Sequence, residues 1–255
     1  MGALRDAGHQ VQGLDLMVDG RVPQGAGLSS SAALECAVAA AVSDLFDLDL
    51  LHDDSARATL ARICVLAENA IALAPTGSMD QSASLRCQAG HALLLDCRDG
   101  SIAQVPFDLS AHGLCLLVMD TRATHTLVDG QYAKRRASCE EAARQLGIPS
   151  LREVAFANRH QGLNRLPDSR VRARARHVVT EIERVRQVVA LLRAGRARMW
   201  AHCSTSRMPP CETTSRSPLS SLTSLLRRQQ LMAHWVPRMT RGGFGGSAIA
   251  LVPTE

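Results

Sequence analysis

The sequence predicts an α+β protein, on three observations. Four stretches have the apolar spacing of helices. Four short apolar runs or alternations suit strands, and a Gly/Ser-rich bend leads into the first helix near the start of the chain. The 255 residues suffice for one large domain or two small ones with a buried core. Apolar residues make up 46% of the chain, which reads as globular rather than disordered; with aromatics at only 3%, Ala, Leu and Val must fill the core.

In chain order, residues 11–22 alternate apolar and polar and predict a strand that enters a turn at Pro23. Residues 32–45 form a helix of small apolar residues, and 55–73 form a second that stops at the turn signal Pro75-Thr76-Gly77. Residues 91–97 and 114–120 read as buried strands. Residues 131–146 form a helix with Arg and Glu on its wet face. Residues 170–194 form another, whose Val178, Ile182, Val185, Val189 and Leu192 are spaced for one buried stripe. The pattern breaks over residues 203–224, where 11 of 22 residues are Ser or Thr and three are Pro, with Trp200 and Trp235 on either side. Order resumes at Met239, where residues 242–246 are a glycine cluster leading into the apolar strand 247–252. No internal repeat is present.

Composition excludes several classes of function. No apolar run reaches the roughly 18 residues of a membrane helix, and residues 1–10 lack a cationic start followed by an apolar run, so the expected compartment is the cytoplasm, with no membrane partner. The eight cysteines, at 36, 64, 87, 97, 115, 139, 203 and 211, contain no Cys-x-x-Cys pair and mostly sit in apolar stretches, so buried thiols are expected. The net charge is +5, but residues 196–241 hold eight arginines against Glu212; taking that +7 away leaves −2 elsewhere, so no nucleic-acid partner is expected. A monomer is expected.

Three constellations carry chemistry. Gly25, Ala26, Gly27, Leu28, Ser29, Ser30 and Ser31 feed straight into a helix. Phosphate binding needs backbone N–H groups and a positive dipole end, and a Gly/Ser loop at a helix N-terminus supplies both. A serine hydroxyl there can also ligate the magnesium that travels with a nucleotide. An ordinary Ser-capped helix is the plainer alternative. Glu68 and Asp80 flank the turn 75–79, and phosphoryl transfer needs both a held cation and a carboxylate that takes the acceptor's proton. Two carboxylates so placed can divide those jobs or can simply cap helices. The glycines of 242–246 permit close backbone approach directly before a strand, as a tight turn does.

Together these segments resemble the galactokinase branch of the small-molecule kinases that include homoserine and mevalonate kinases. Pro23-Gln24-Gly25-Ala26-Gly27-Leu28-Ser29-Ser30-Ser31-Ala32-Ala33 is similar to that superfamily's phosphate-binding motif, and Ala67-Glu68-Asn69 with Pro75-Thr76-Gly77-Ser78-Met79-Asp80-Gln81 to the galactokinase catalytic segment. Leu94-Leu95-Asp96-Cys97-Arg98, Thr124-His125, Tyr132 with Arg135-Arg136, Cys139-Glu140-Glu141 and residues 174–181 continue the likeness. Residues 239–246 resemble the superfamily's third motif. The resemblance covers residues 1–195 and 239–255 and implies a two-domain fold. Its nucleotide-binding domain would lie in 1–110 and its C-terminal domain in 111–255. The implied reaction is ATP-dependent phosphorylation of galactose to galactose 1-phosphate. Residues 25–31 would cradle ATP, Ser31 and Glu68 would hold Mg²⁺, Asp80 would be the base, and Tyr132 would contact galactose.

Departures from the family temper this reading. Galactokinases carry an arginine and a Glu-His-x-Asp segment well upstream of the phosphate loop, and nothing here matches them, so a fold incomplete at its N-terminus is expected. Residues 196–238 read as an aberrant, disordered segment translated out of frame: one choice of codons for 212–217 yields Asp-Asp-Phe-Glu-Val in the neighbouring frame, as in galactokinases. A catalytically inactive fragment and a non-catalytic galactose/ATP-binding regulator are the alternatives to the enzyme. Leu73, Ser78 and Arg241 stand where the family usually has glycine; if Arg241 needs a positive φ, it costs about 1–2 kcal/mol.

Overall fold

The computed structural model of the chain describes residues 1–72, 76–123, 131–196, 238–239 and 246–254. They fall into two compact units, one within Met1–Thr126 and Pro237–Glu255 and the other within Leu127–Ser217.

The first unit holds α1 (Gly2–Asp6), α2 (Ser30–Leu45), α3 (Asp54–Ala72) and α4 (Met79–Arg86), then the hairpin β1 (His91–Leu95) and β2 (Ile102–Pro106), and β3 (Leu114–Ala123). α2 is rich in Ala, the residue that loses least on entering a helix. It ends at Phe46, before Asp47 turns to φ +49°. α3 starts where the Asp53 carboxylate accepts the Ala56 N–H at 2.8 Å, which occupies one of the first-turn donors a helix leaves unpaired. The core of the unit lies where these helices meet. Cys36, Ala39 and Val42 of α2 pack with Leu60, Ala61, Ile63 and Cys64 of α3, with Leu85 of α4, and with Leu4, Val11 and Leu50. Leu60 is fully buried, and truncating such a leucine to alanine costs about 2–5 kcal/mol.

Arg86, at the end of α4, ties the helices to the hairpin. Its guanidinium donates to both Asp54 oxygens at 2.9 and 2.8 Å and to the Gly100 carbonyl at 2.9 Å, while Gln104 of β2 donates to the Arg86 carbonyl at 2.7 Å. The paired guanidinium holds the Asp54 carboxyl below its ordinary range.

The second sheet of this unit has the order β3–β5–β4, all antiparallel, with β4 (Arg238–Met239) and β5 (Gly246–Pro253) from the far end of the chain. β5 is central and buried at Ser247, Ala248, Ala250 and Leu251. It is anchored to the Gly/Ser bend: the Ser247 hydroxyl donates to the Ala26 carbonyl at 2.7 Å. Gly246 has φ +88°, and a Cβ there would lie 2.9 Å from the Ala26 carbonyl oxygen and 2.9 Å from the Gly27 Cα. This contact groups β5 with residues 1–126.

The second unit holds α5 (Gln131–Leu146), α6 (Arg159–Leu163) and α7 (Ser169–Arg193). Its core is Ala142, Leu151, Leu163, Leu166 and Ala175. Asp168 caps α7, accepting the Arg170 and Val171 N–H groups at 2.7 and 2.9 Å, and Arg174 reaches back to the Lys134 carbonyl and the Ser138 hydroxyl of α5 at 2.9 and 2.6 Å.

Several expectations need correction. Residues 11–22 are not a strand: no described strand pairs with them, and a strand exists only through its partner's hydrogen bonds, so Leu16, Met17 and Val18 are exposed. Leu116, Leu117 and Val118 of β3 are 41–42% exposed, not buried, because the unit's helical core contains none of β3. The 91–95 strand is half-buried. On α7 the buried positions are Ala175, Val179, Arg184 and Leu192, while Val185 is exposed; the described core meets only the first half of that helix. Of the six described cysteines, Cys36 and Cys64 are buried, Cys87 and Cys139 half-buried, and Cys97 and Cys115 exposed. The hydrogen bond with Cys36 and then burial push the Cys64 thiol far up, so it stays protonated. Cys203, Cys211 and the segment expected to be aberrant, except its two ends, lie outside the described residues.

Two outcomes test this architecture. Gly246→Ala should lower the urea midpoint by the left-handed backbone penalty of about 1–2 kcal/mol plus the clash with residues 26–27, a larger loss than an Ala substitution at the open Gly20. Asp54→Asn should lower the midpoint at neutral pH. Since Asp54 is held below its unfolded value, its contribution is present above that value and lost as pH falls through the folded one, so the variant and the parent should converge in acid.

Candidate functional site

The site is built from the Gly/Ser bend and from the facing ends of α2, α3 and α4. Gly25, Gly27 and Ser29 take φ of +74°, +68° and +62°, alternating with Ala26 and Leu28, which do not. Such alternation turns successive N–H groups toward one side of the chain, the concavity that binds anions. Ser29 precedes α2 without making a side-chain cap, so the first-turn donors of that helix meet no side-chain acceptor there. A serine in the left-handed region is strained by about 1–2 kcal/mol, and strain of this kind concentrates at working sites. Ala26 is buried under β5; Gly27, Leu28, Ser29 and Ser30 are half-exposed, and Gly25 and Ser31 are exposed.

Behind the bend lies a polar cluster. Glu68 is 6% exposed on α3, which obliges it to find partners. The Ser31 hydroxyl donates to its Oε1 at 2.7 Å; the Gln81 amide and the Thr76 hydroxyl donate to its Oε2 at 2.6 and 3.2 Å. Asn69 steadies the turn by accepting the Thr76 N–H and hydroxyl at 3.1 and 2.9 Å. Glu35, one turn along α2 from Ser31, approaches the same amide at 3.4 Å. Burial, then the nearby Glu68 charge, raises the Glu35 carboxyl above its ordinary range, opposed by the bond from Gln81.

Sequence reasoning brought Ser31 and Glu68 to one site, and the structure joins them directly. Asp80, half-buried, is the second residue of α4, and Gln81 beside it binds Glu68, so that end of α4 is pinned to α3. Ser78 has φ −94°, so serine stands there without strain where the family usually has glycine. Tyr132 lies on α5 of the other unit, and its side chain is outside the described residues. So are Leu73, Pro75, Thr124, His125 and 241–245. Sequence reasoning missed Glu35, Thr76 and Gln81 as members of the cluster. A signal was available for Glu35 in its four-residue spacing from Ser31 on one helix face; Thr76 and Gln81 join the cluster only through tertiary contacts.

Among the described residues no helix is long and apolar enough to cross a membrane. The fold is that of the GHMP small-molecule kinases, and residues 1–88 match the family described as GHMP kinases N terminal domain. Galactokinase of Streptomyces coelicolor is 47% identical over 251 residues, covering 98% of this chain and 64% of that protein. Galactokinase of Mycobacterium tuberculosis H37Rv is 41% identical over 259 residues, covering 99% of this chain and 68% of that protein. A crystal structure of Lactococcus lactis galactokinase complexed with galactose superposes with a TM-score of 0.80 at 27% identity, covering 99% of this chain and 65% of that one. The chain belongs to the galactokinase family and spans about two thirds of the length of these relatives.

The raised Glu35 carboxyl gives a test of the cluster. The folded state resists ionising it, so Glu35→Gln should raise the thermal midpoint at pH 7–8. That gain should vanish below the ordinary carboxylate range, where both states hold the proton.

Proposed function

We propose that this chain carries the activity of its family, ATP-dependent phosphorylation of galactose at the anomeric hydroxyl to galactose 1-phosphate. The single observation that carries the reading is the hydrogen bond from Ser31, at the start of α2, to the buried Glu68 behind a bend of alternating left-handed residues. That arrangement sets phosphate-facing backbone donors beside a hard oxygen pair. In this reading residues 25–31 receive the ATP phosphates, and the N-terminus of α2 adds its positive dipole end.

Mg²⁺ fits the residues present. The donor set is a hydroxyl and a carboxylate, the oxygen chemistry this ion prefers, and it needs only one or two protein ligands besides phosphates and water. Ser31 and Glu68 would hold it, and the bound ion would neutralise charge on the phosphates. Asp80 takes the proton from the sugar hydroxyl. The freed oxygen attacks the terminal phosphorus, the bond to the leaving ADP breaks, and galactose 1-phosphate and ADP result. Tyr132 is assigned to the sugar. The proposal also divides the chain into a nucleotide-binding part, 1–110, and a C-terminal part, 111–255. The protein would work as a cytoplasmic monomer without nucleic-acid or membrane partners.

Because the chain spans 64% of its Streptomyces relative, a second reading stands beside the first: an inactive fragment, or a binder of galactose and ATP without turnover. An ADP-release assay with galactose and MgATP decides. The enzyme reading expects turnover that requires galactose and falls about a hundred- to ten-thousandfold in Asp80→Asn. Absence of turnover overturns it, and calorimetry with each ligand then separates a binder from an inert chain.

A further inference from the structure

Gln81 is fully buried, and its side chain reaches two carboxylates from two other helices. Its Nε2 lies 2.6 Å from Glu68 Oε2 on α3 and 3.4 Å from Glu35 Oε2 on α2, so the amide's donors are directed at acids on both. Its Oε1 is buried and has no partner among the described residues. The orientation of the amide is not arbitrary. Turning it over would place its oxygen 2.6 Å from a carboxylate oxygen, where two acceptors repel. Packing does not explain the residue either, since a methionine would fill the same space without leaving a buried acceptor unsatisfied. What the amide does that no apolar side chain can do is hold two converging acids with a neutral donor.

We propose that Gln81 is the positioning residue of this site: it fixes the carboxylate plane of Glu68 for a divalent cation and sets the adjacent Asp80 in register with it. The inference rests on the reading of Ser31 and Glu68 as the cation site. Glu68 has two oxygens with separate tasks. Oε1 faces the exposed Ser31 hydroxyl, while Oε2 is held from behind by Gln81 and Thr76. A carboxylate held on one oxygen presents the other in a set direction, and outer partners of this kind typically govern metal affinity about ten- to a hundredfold. Gln81 directly follows Asp80 in α4, so the 2.6 Å bond also sets the depth of that helix against α3. Cation site and proposed base are thereby placed by one contact.

The test uses the full 255-residue chain. Free Mn²⁺ is counted by electron paramagnetic resonance during titration in the presence of the non-hydrolysable analogue adenylyl imidodiphosphate. Thermal midpoints are measured without the cation. Glu68→Gln reports on the site, Gln81→Met on the positioning bond. The expected result is a Mn²⁺ affinity weakened about ten- to a hundredfold in Gln81→Met, whatever happens to the thermal midpoint, since the variant removes both a donor to the buried Glu68 and an unsatisfied acceptor. A purely structural glutamine gives a lower midpoint with unchanged affinity. If Gln81→Met does not fold, Gln81→Asn, one methylene too short to keep the bond, is read the same way. An affinity within twofold of the parent in the Gln81 variant, while Glu68→Gln loses it, overturns the positioning role alone. No Mn²⁺ binding by the parent, or an unchanged affinity in Glu68→Gln, overturns the cation site and this proposal with it.

Discussion

The burial of one charge organises this site. Glu68 sits almost out of water on α3, and a carboxylate so placed must be matched by donors or its burial costs stability that nothing offsets. Its donors come from three segments: Ser31 on α2, Thr76 in the turn, and Gln81 on α4. The need to satisfy one acid thus draws two helix starts and a turn toward the last turns of α3. The apolar side of the same helices supplies the complementary force, with Leu60, Ile63 and Cys64 packing against Cys36, Val42 and Leu85. Polar convergence and apolar packing thus act together on the same three helices.

The second constraint is backbone proximity. The bend at residues 25–29 holds three left-handed residues, and it is braced from behind by β5, where Ser247 binds the Ala26 carbonyl and Gly246 leaves no room for a side chain. A glycine cluster that in sequence could be taken for a linker therefore has, at its last member, a steric duty at a distance of 220 residues. The loop that would meet phosphate is held by a strand from the far end of the chain, and the family likeness at 239–246 acquires a physical meaning at Gly246.

Much of this was legible beforehand, where local chemistry is decisive. The helices at 30–45, 54–72, 131–146 and 169–193 follow from propensity and spacing, and their bounds lie within two residues of expectation. The strand at 246–253 follows from its unbroken apolar run. Elements whose existence depends on a partner were not legible. Residues 11–22 alternate as a strand does yet find no described neighbour, and β2 went unseen because Ile102-Ala103-Gln104-Val105-Pro106 is strand only through its register with β1. α4 was hidden because its eight residues carry no apolar stripe; it is held by Gln81, Leu85 and Arg86, each through a contact distant in sequence.

By itself, then, the sequence determined the chemistry on offer: a Gly/Ser bend entering a helix, a buried-capable acid, a second acid after a turn, and helices able to carry them. Those are properties of spacing and of short-range hydrogen bonding, written in neighbouring residues. Tertiary structure alone decided which of several acids would be buried, which glutamine would hold it, and that β5 would close on the bend. These outcomes depend on distances between residues far apart in the chain, and a buried charge is tolerated only where several such distances come right together.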